Sequence, residues 1–424
     1  MRKRVMGMLC MEKKNVFSDP SDRISILVYT QSFLYDNNVF QYFSDANLLK
    51  SIRIHYMPLL VKPEESLPVD TGIYRHTPRG DTISTIIEFS DCSSRVFISS
   101  NSQRRKTEDE LKETAEKCIL HNQLNRLFDY IVASDDWCKE HKEYDSIVSY
   151  SEAKEILRLF LIHKKEFEMV NSLYFDESLY YAYRHHALFP EYKNFWSSIL
   201  KGKNDTDIDT ANALGNRLLL FSMCIDNASI EAYKTQNSIT AMHLKYHISY
   251  LLLLITGTFD SIAWIINNLY SLGFELKKRR QIDLINKDFR KAVEQKSSVL
   301  HNLLAETDFI NRVEAIRELR DRIVHRNFID TISNGNGEKR RDFLWIDQIA
   351  SEKLLKAGFD EKWYLMKTDD LNAIDILNFL RYIQKVTVTI VNRFLKEISK
   401  EIFHSDTCYS INEMFQLPSE SYVL

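Results

Sequence analysis

The segment ISYLLLLITGTFDSIAWIINNLY, residues 248–270, decides how the second half of this chain folds. It is long enough to cross a membrane, but Asp260 and the neighbouring Asn267 and Asn268 interrupt it. A charge at the centre of a membrane span costs about 2.5–3.5 kcal/mol on insertion scales. We therefore predict a long buried helix within a helical bundle. A membrane-associated protein that uses this segment is the less favoured alternative.

The scarcity of glycine and proline extends the helical prediction to most of the chain. The 424 residues include ten glycines and seven prolines, and no proline occurs from residue 191 to residue 417. Ordinary usage of the two together is roughly 12%. Proline breaks helices and glycine supplies the backbone conformations of tight turns. The composition predicts a mainly α protein and disfavours all-β sandwiches, collagen-like repeats, and Rossmann or P-loop enzymes.

The first 100 residues follow a different pattern, because they hold five of the seven prolines. Residues 51–56 alternate polar and apolar side chains, which is typical of a strand. Residues 83–89 and 95–99 are rich in β-branched and aromatic side chains, and the short polar segment between them predicts a hairpin.

These patterns predict three regions. A small mixed α/β or β-rich domain spans 1–104, a helical middle region spans 105–206, and a C-terminal helical bundle spans 207–410. The polar segment KGKNDT at 201–206 marks the boundary between the last two regions. We find no internal repeats.

Helix start signals support the two helical regions. Thr107 with Glu110 and Ser149 with Glu152 match the capping box, and Pro190 fits the first turn of a helix. Gly273 fits the position that follows a helix C-terminus. An insertion with the turn sequence GNG at 335–337 predicts a second hairpin. The helices of the last region are predicted at 208–235, 240–272, 281–305, 308–327 and 369–404.

Several classes of function are disfavoured. The formal net charge of −3 argues against a protein coated in basic residues. The six cysteines form no C-x-x-C pair, which favours free thiols in a reducing cytoplasm. His185 and His186 are adjacent, not four residues apart, so they do not aim at one metal ion. We predict a cytoplasmic protein with no metal and no cofactor.

One segment carries chemistry: RELRDRIVHRNF at 317–328 places His325 among four arginines. An imidazole can accept the proton of an attacking hydroxyl or donate one to a leaving oxygen. An arginine can stabilise the charge that develops on phosphorus. On an ideal helix, however, Arg320 and His325 point about 140° apart. To meet at one phosphate they need a helix end, a kink or a second copy of the chain.

The string LRDRIVHRNF resembles the R-x(4–6)-H motif of HEPN domains, in which a polar residue often follows the arginine, as Asp321 does here. The resemblance covers about residues 208–404 and implies a bundle of four or five helices. Many members of that family are metal-independent endoribonucleases that work as dimers. By this resemblance, His325 is the general acid or base, Arg320 binds the scissile phosphate, and Asp321 orients one of them.

The resemblance further implies RNA products with 2′,3′-cyclic phosphate ends and a toxin or antiphage defence role. The RNA substrate is expected to be a tRNA or an mRNA, and an antitoxin or a defence-system protein is an expected partner. A non-catalytic HEPN module for dimerisation or nucleotide binding remains the alternative, with the function in the N-terminal part. The residues that we expect to contact the RNA backbone are basic: Arg317, Arg322, Arg326, Lys339, Arg340 and Arg341.

Overall fold

The structure is a computed structural model of the chain. The start of the predicted helix at Thr107 lies outside the residues that it describes. The described residues are 16–18, 23–29, 39, 42–43, 46–47, 49, 51–57, 71–79, 82–89, 94–100, 128–141, 146–167, 176–202, 205–234, 237–325, 331–333, 342–368 and 370–403.

Contacts between residues divide the chain into two compact units. The first unit comprises Met1–Tyr174 with Glu420–Leu424, and the second comprises Phe175–Ser419. The boundary between the two units, after Tyr174, lies between the two domain boundaries predicted from the sequence at residues 104 and 206. Helices dominate the described residues, which confirms the prediction of a mainly α protein.

A seven-stranded sheet forms the first unit, in the order β3-β4-β5-β2-β1-β6-β7. The predicted hairpin is confirmed, since β4 and β5 pair in antiparallel register. The predicted strand at 51–56 is β2. The seven strands are β1 (Ile24–Tyr29), β2 (Ile52–Met57), β3 (Thr71–Arg79), β4 (Thr82–Phe89), β5 (Ser94–Ser100), β6 (Tyr130–Ala133) and β7 (Ile147–Ser149).

Five of these strands run parallel, in the order β5-β2-β1-β6-β7. The chain moves outward from β1 on one side through β2 and β5, and then on the other side through β6 and β7. This is a doubly wound order of the Rossmann type, which the composition had disfavoured. A low glycine content argues against Gly-rich phosphate-binding loops. It does not argue against a parallel sheet, because the sheet itself does not need such loops. Our exclusion of the whole fold class on composition was therefore too broad.

The region 105–206 was predicted to be helical, but it also supplies two strands of this sheet. Both β6 and β7 are short and apolar, and their residues Ile131, Val132 and Val148 are buried. Strands buried on both faces read as continuous apolar runs, which periodicity cannot separate from a helix. Two helices follow these strands: α1 (Asp135–Glu140) and α2 (Tyr150–Lys164). The predicted cap of α2 is confirmed, since Ser149 Oγ accepts from the Glu152 amide at 3.2 Å.

The second unit packs its helices around one apolar core. Pro190 begins a helix, as predicted. Two short 3₁₀ helices, Leu276–Gln281 and Glu361–Trp363, connect longer elements. The α-helices are α3 (Glu177–Leu188), α4 (Pro190–Gly202), α5 (Asp205–Tyr233), α6 (Ser238–Leu269), α7 (Lys287–Glu294), α8 (Ser298–Ala305), α9 (Thr307–His325), α10 (Gln348–Lys356) and α11 (Ile376–Phe403).

Helix α6 contains all but the last residue of the apolar segment 248–270. It begins at a capping box in which the Asn237 side chain accepts from the Thr240 amide and the Thr240 hydroxyl accepts from the Asn237 amide. Among the described residues, α6 alone is long and apolar enough to cross a membrane, and 67% of its most apolar window is buried in the protein. That burial is expected of a core helix. Gly273 was predicted to follow the end of this helix, but α6 ends at Leu269. The left-handed residue that follows the cap is Ser271, two residues before Gly273.

Two other predicted helices differ from the structure. The expected helix at 281–305 is broken into α7 and α8, because Ser297 caps α8 by accepting from the Leu300 amide at 3.0 Å. The start of the expected helix at 369–404 is a strand. The second predicted hairpin is present, since β8 and β9 pair antiparallel. The strands of this smaller sheet are β8 (Thr331–Ser333), β9 (Asp342–Asp347), β10 (Tyr364–Lys367) and β11 (Leu371–Asp375), in the order β10-β11-β9-β8.

A buried histidine in α3 makes the second unit sensitive to acid. His185 is only 6% exposed, and burial lowers the pKa of its imidazole from 6.5 to about 3. The unfolded chain therefore binds a proton near pH 6.5 that the folded chain does not bind until about pH 3. Stability is full above pH 6.5 and falls as the pH drops from 6.5 towards 3, by up to about 1.4 kcal/mol per pH unit.

We predict that His185→Leu reduces this acid sensitivity. Between pH 7 and pH 5, the free energy of unfolding of the variant should fall by about 2 kcal/mol less than that of the wild type. Urea unfolding at the two pH values measures the difference. An equal fall in wild type and His185→Leu would show that His185 is not the group responsible.

Candidate functional site

Helix α9 carries the motif residues on the edges of an apolar stripe. Phe309, Val313, Ile316 and Leu319 are buried, and their spacing of three and four residues turns one face of the helix towards the core. Ile323 packs against the same core. The polar residues of the motif therefore flank a face that is held in place by packing.

Arg317 is held by an ion pair to a neighbouring segment. Its two terminal nitrogens lie 2.6 and 2.7 Å from the carboxylate oxygens of Asp283, in a bidentate arrangement. Asp283 follows the 3₁₀ helix Leu276–Gln281, which contains the exposed basic residues Lys277, Arg279 and Arg280. This ion pair connects α9 to a basic segment that is close to it in the fold.

Arg322 is held more deeply, because its side chain is only 11% exposed. It pairs with Glu318 on the preceding turn of α9 and with Asp347 at the end of β9. Lys353 of α10 also binds Glu318, at 2.8 Å. The hydrogen bond from Lys353 is the main reason why the pKa of Glu318 lies below its ordinary value. Arg322 thus belongs to a network that joins α9, β9 and α10.

Arg320 makes different contacts from its two arginine neighbours. Its Nη1 lies 2.8 Å from Oδ1 of the adjacent Asp321, and about a third of its side chain is exposed. Its Nε is shielded from solvent and makes no hydrogen bond within the described part of the chain. Asp321 therefore orients the guanidinium, and the exposed third of the side chain, not the shielded Nε, is the part that an anion could reach.

A carboxylate on α6 faces this arginine. Asp260 is exposed at the surface, but nearby protein partly desolvates its carboxyl group and raises its pKa. The nearby Asp283 raises the pKa further, whereas Arg317, Arg320 and Arg217 lower it. Arginines of both α5 and α9 therefore act electrostatically on this one carboxylate.

Arg217 of α5 packs against a glycine on α6. A Cβ atom at Gly257 would lie 3.1 Å from the Arg217 Nε, so a larger residue would require the arginine side chain to shift by a few tenths of an ångström. The Arg217 Nη1 donates to the Ser261 hydroxyl at 2.7 Å. We call Arg217, Asp260, Asp283, Arg317 and Arg320 the arginine–aspartate cluster.

His325 is the last residue of α9 that the structure describes. The side chain of His325 lies outside the described part of the structure. The predicted RNA-binding residues Arg326, Lys339, Arg340 and Arg341 also lie outside it.

The sequence did not indicate that Asp260, Asp283 and Arg217 belong to the arginine–aspartate cluster. Asp260 was visible only as a charge that interrupts an apolar segment. Asp283 and Arg217 had no signal of their own, because their partners lie 34 and 44 residues away in the chain. Comparison of the chain with protein-family models, with curated proteins and with solved structures found no match.

Proposed function

We propose that this chain is a HEPN-type, metal-independent endoribonuclease. The observation that carries the proposal is the setting of Arg320. Its guanidinium is oriented by Asp321, about a third of its side chain is exposed, and it lies on the same helix as His325. A preorganised arginine stabilises developing charge without having to reorganise during the reaction.

The reaction we propose is attack by a ribose 2′-hydroxyl on the adjacent phosphorus. The O2′–P bond forms, the P–O5′ bond breaks, and the products carry a 2′,3′-cyclic phosphate and a 5′-hydroxyl. The 2′-hydroxyl loses a proton and the leaving O5′ gains one: the His325 imidazole carries out one of these two transfers, and water carries out the other. Arg320 stabilises the charge on the phosphoryl oxygens, and Asp321 positions Arg320.

The remaining assignments are part of the same proposal. Arg317 and Arg322 hold α9 in place through their ion pairs and add positive potential for the RNA backbone. Arg326, Lys339, Arg340 and Arg341 contact further phosphates. The substrate is a tRNA or an mRNA, the active form is a homodimer, and an antitoxin or a defence-system protein is a partner. The role is toxin activity or antiphage defence in the cytoplasm, with no cofactor.

A second candidate places the function in the first unit. The doubly wound order of its parallel strands puts a switch point between β1 and β6. In sheets of this kind, ligands bind outside the carboxyl ends of the strands at the switch point. Under this candidate the second unit is a non-catalytic HEPN module for dimerisation or nucleotide binding, and His325→Ala leaves every phenotype unchanged.

The test is cleavage of single-stranded RNA by the purified full chain in the presence of EDTA. We expect wild type to cut the RNA and His325→Ala to cut it about 10²–10⁴-fold more slowly. Equal melting temperatures of the two proteins are the control for folding. If wild type binds RNA but cuts no RNA species with or without metal, or if His325→Ala cuts as fast as wild type, the proposal is wrong.

A further inference from the structure

A row of exposed apolar side chains runs along about four turns of α6. Ile239, Met242, Tyr246 and Leu253 are among the most exposed large apolar residues described, and Tyr250 is partly exposed beside them. Tyr246 is 64% exposed and Leu253 is 45% exposed. Contiguous apolar surface of this kind marks interaction sites. We call these five residues the α6 seam.

The spacing of the α6 seam is that of a helix–helix interface. Its members follow one another at intervals of three, four, four and three residues, which keeps them on one side of an α-helix. The opposite side of α6 is buried in the core of its own unit. The α6 seam is therefore a second packing face, and a second helix is the partner that fits it.

We propose that the α6 seam binds the α6 seam of a second copy of this chain, in antiparallel orientation about a two-fold axis. The charges at its ends argue for this occupant. Asp260 lies nine residues after Leu251, and His243 lies nine residues before Leu252. An axis between Leu251 and Leu252 therefore places Asp260 opposite the His243 position of the other copy. Side chains with complementary hydrogen-bonding groups then meet at both ends.

The same register matches the sizes of the facing residues. Leu253 faces the Tyr250 position of the other copy, and Tyr246 faces the Gly257 position, which has no side chain. Arg217 lies across its own Gly257, so the incoming tyrosine ring meets a guanidinium. Arginine over an aromatic ring is a favourable contact.

This dimer completes the arginine–aspartate cluster in each subunit. It brings the imidazole of His243, whose side chain is 51% exposed in one chain, to the Asp260 carboxylate beside Arg320 of the other chain. The inference goes beyond the proposed ribonuclease function, because it assigns the surface and the residue that the second copy supplies. It does not depend on RNA cleavage.

The test measures the molar mass of the full chain by sedimentation at micromolar concentration. For wild type we expect a molar mass of about twice the 50.0 kDa of one chain, and for Leu253→Asp we expect the mass of a single chain. Ile349→Asp, an equally exposed apolar position on α10, is the matched control and should remain dimeric. Tyr246→Ser is the milder variant and should raise the dissociation constant at least tenfold with an unchanged circular dichroism spectrum.

A charge exchange tests the register. His243→Asp and Asp260→His should each weaken the dimer, and the double variant should restore it, because the facing pair is then re-formed in reverse. A monomeric wild type would show that another partner or no partner covers the face, and it would overturn the proposal. Dimeric Leu253→Asp, or a double variant no tighter than the single ones, would overturn it as well. A dimer that cuts no RNA would refute only the proposed function.

Discussion

Arg320→Ala is expected to slow RNA cleavage by about 10²–10³-fold, the loss typical of removing one preorganised donor to developing charge. The side chain is 31% exposed and makes its described ion pair with the adjacent Asp321. Its removal therefore leaves the core contacts of α9 intact. The loss should appear in the single-turnover rate at saturating RNA, with the melting temperature unchanged.

Two variants sharpen this prediction. Arg320→Lys keeps the charge but loses the planar fork of donors, so we expect it to recover only part of the rate. Arg393→Ala removes an exposed arginine that pairs with Glu306, the residue before α9. This variant should leave the rate of cleavage unchanged. Cleavage by Arg320→Ala within tenfold of wild type would mean that Arg320 does not act in the transition state.

Arg322→Ala is expected to destabilise the protein rather than the RNA complex. Its removal leaves Glu318 and Asp347 without their shared partner at a largely buried position. Leaving a buried charge without a partner costs about 3–5 kcal/mol, but Glu318 keeps Lys353 and Asp347 is partly exposed, so this case lies below that range. Urea unfolding should therefore show a loss of about 2 kcal/mol.

The exposed pair of Arg393 and Glu306 provides the comparison for this loss. Glu306→Ala should lower the free energy of unfolding by less than about 1 kcal/mol, since exposed pairs contribute little. If Arg322→Ala unfolds like wild type but binds RNA more weakly, Arg322 is an RNA contact and its ion pairs are dispensable.

The sequence was sufficient to predict the elements whose signals are local. The start of α2 at Ser149, the start of α4 at Pro190 and the hairpin of β4 and β5 depend on residues within a few positions of one another. The strands β6 and β7 were missed because short buried strands have no period of their own. Their parallel pairing with β1 and with each other depends on contacts across the sheet, which no local pattern encodes.

The candidate site also combines features that the local sequence predicts with contacts that it does not predict. The spacing of Arg320 and His325 is a local pattern, and it remains the basis of the proposed chemistry. The partners of the arginines are not local. Asp283 reaches Arg317 and Asp347 reaches Arg322 only because packing brings separate elements together. The sequence predicted that Arg317 and Arg322 contact the RNA backbone, whereas the structure places both of them in internal ion pairs.

The 3′-end chemistry of the cleaved RNA distinguishes HEPN-type cleavage from hydrolysis by a metal-dependent nuclease. Wild type and His325→Ala are incubated with the same single-stranded RNA in EDTA, and the ends of the products are determined by mass spectrometry. The account predicts 2′,3′-cyclic phosphate and 5′-hydroxyl ends with wild type, and intact RNA with His325→Ala. Products with 3′-hydroxyl and 5′-phosphate ends, or cyclic ends in equal amounts with His325→Ala, would contradict it.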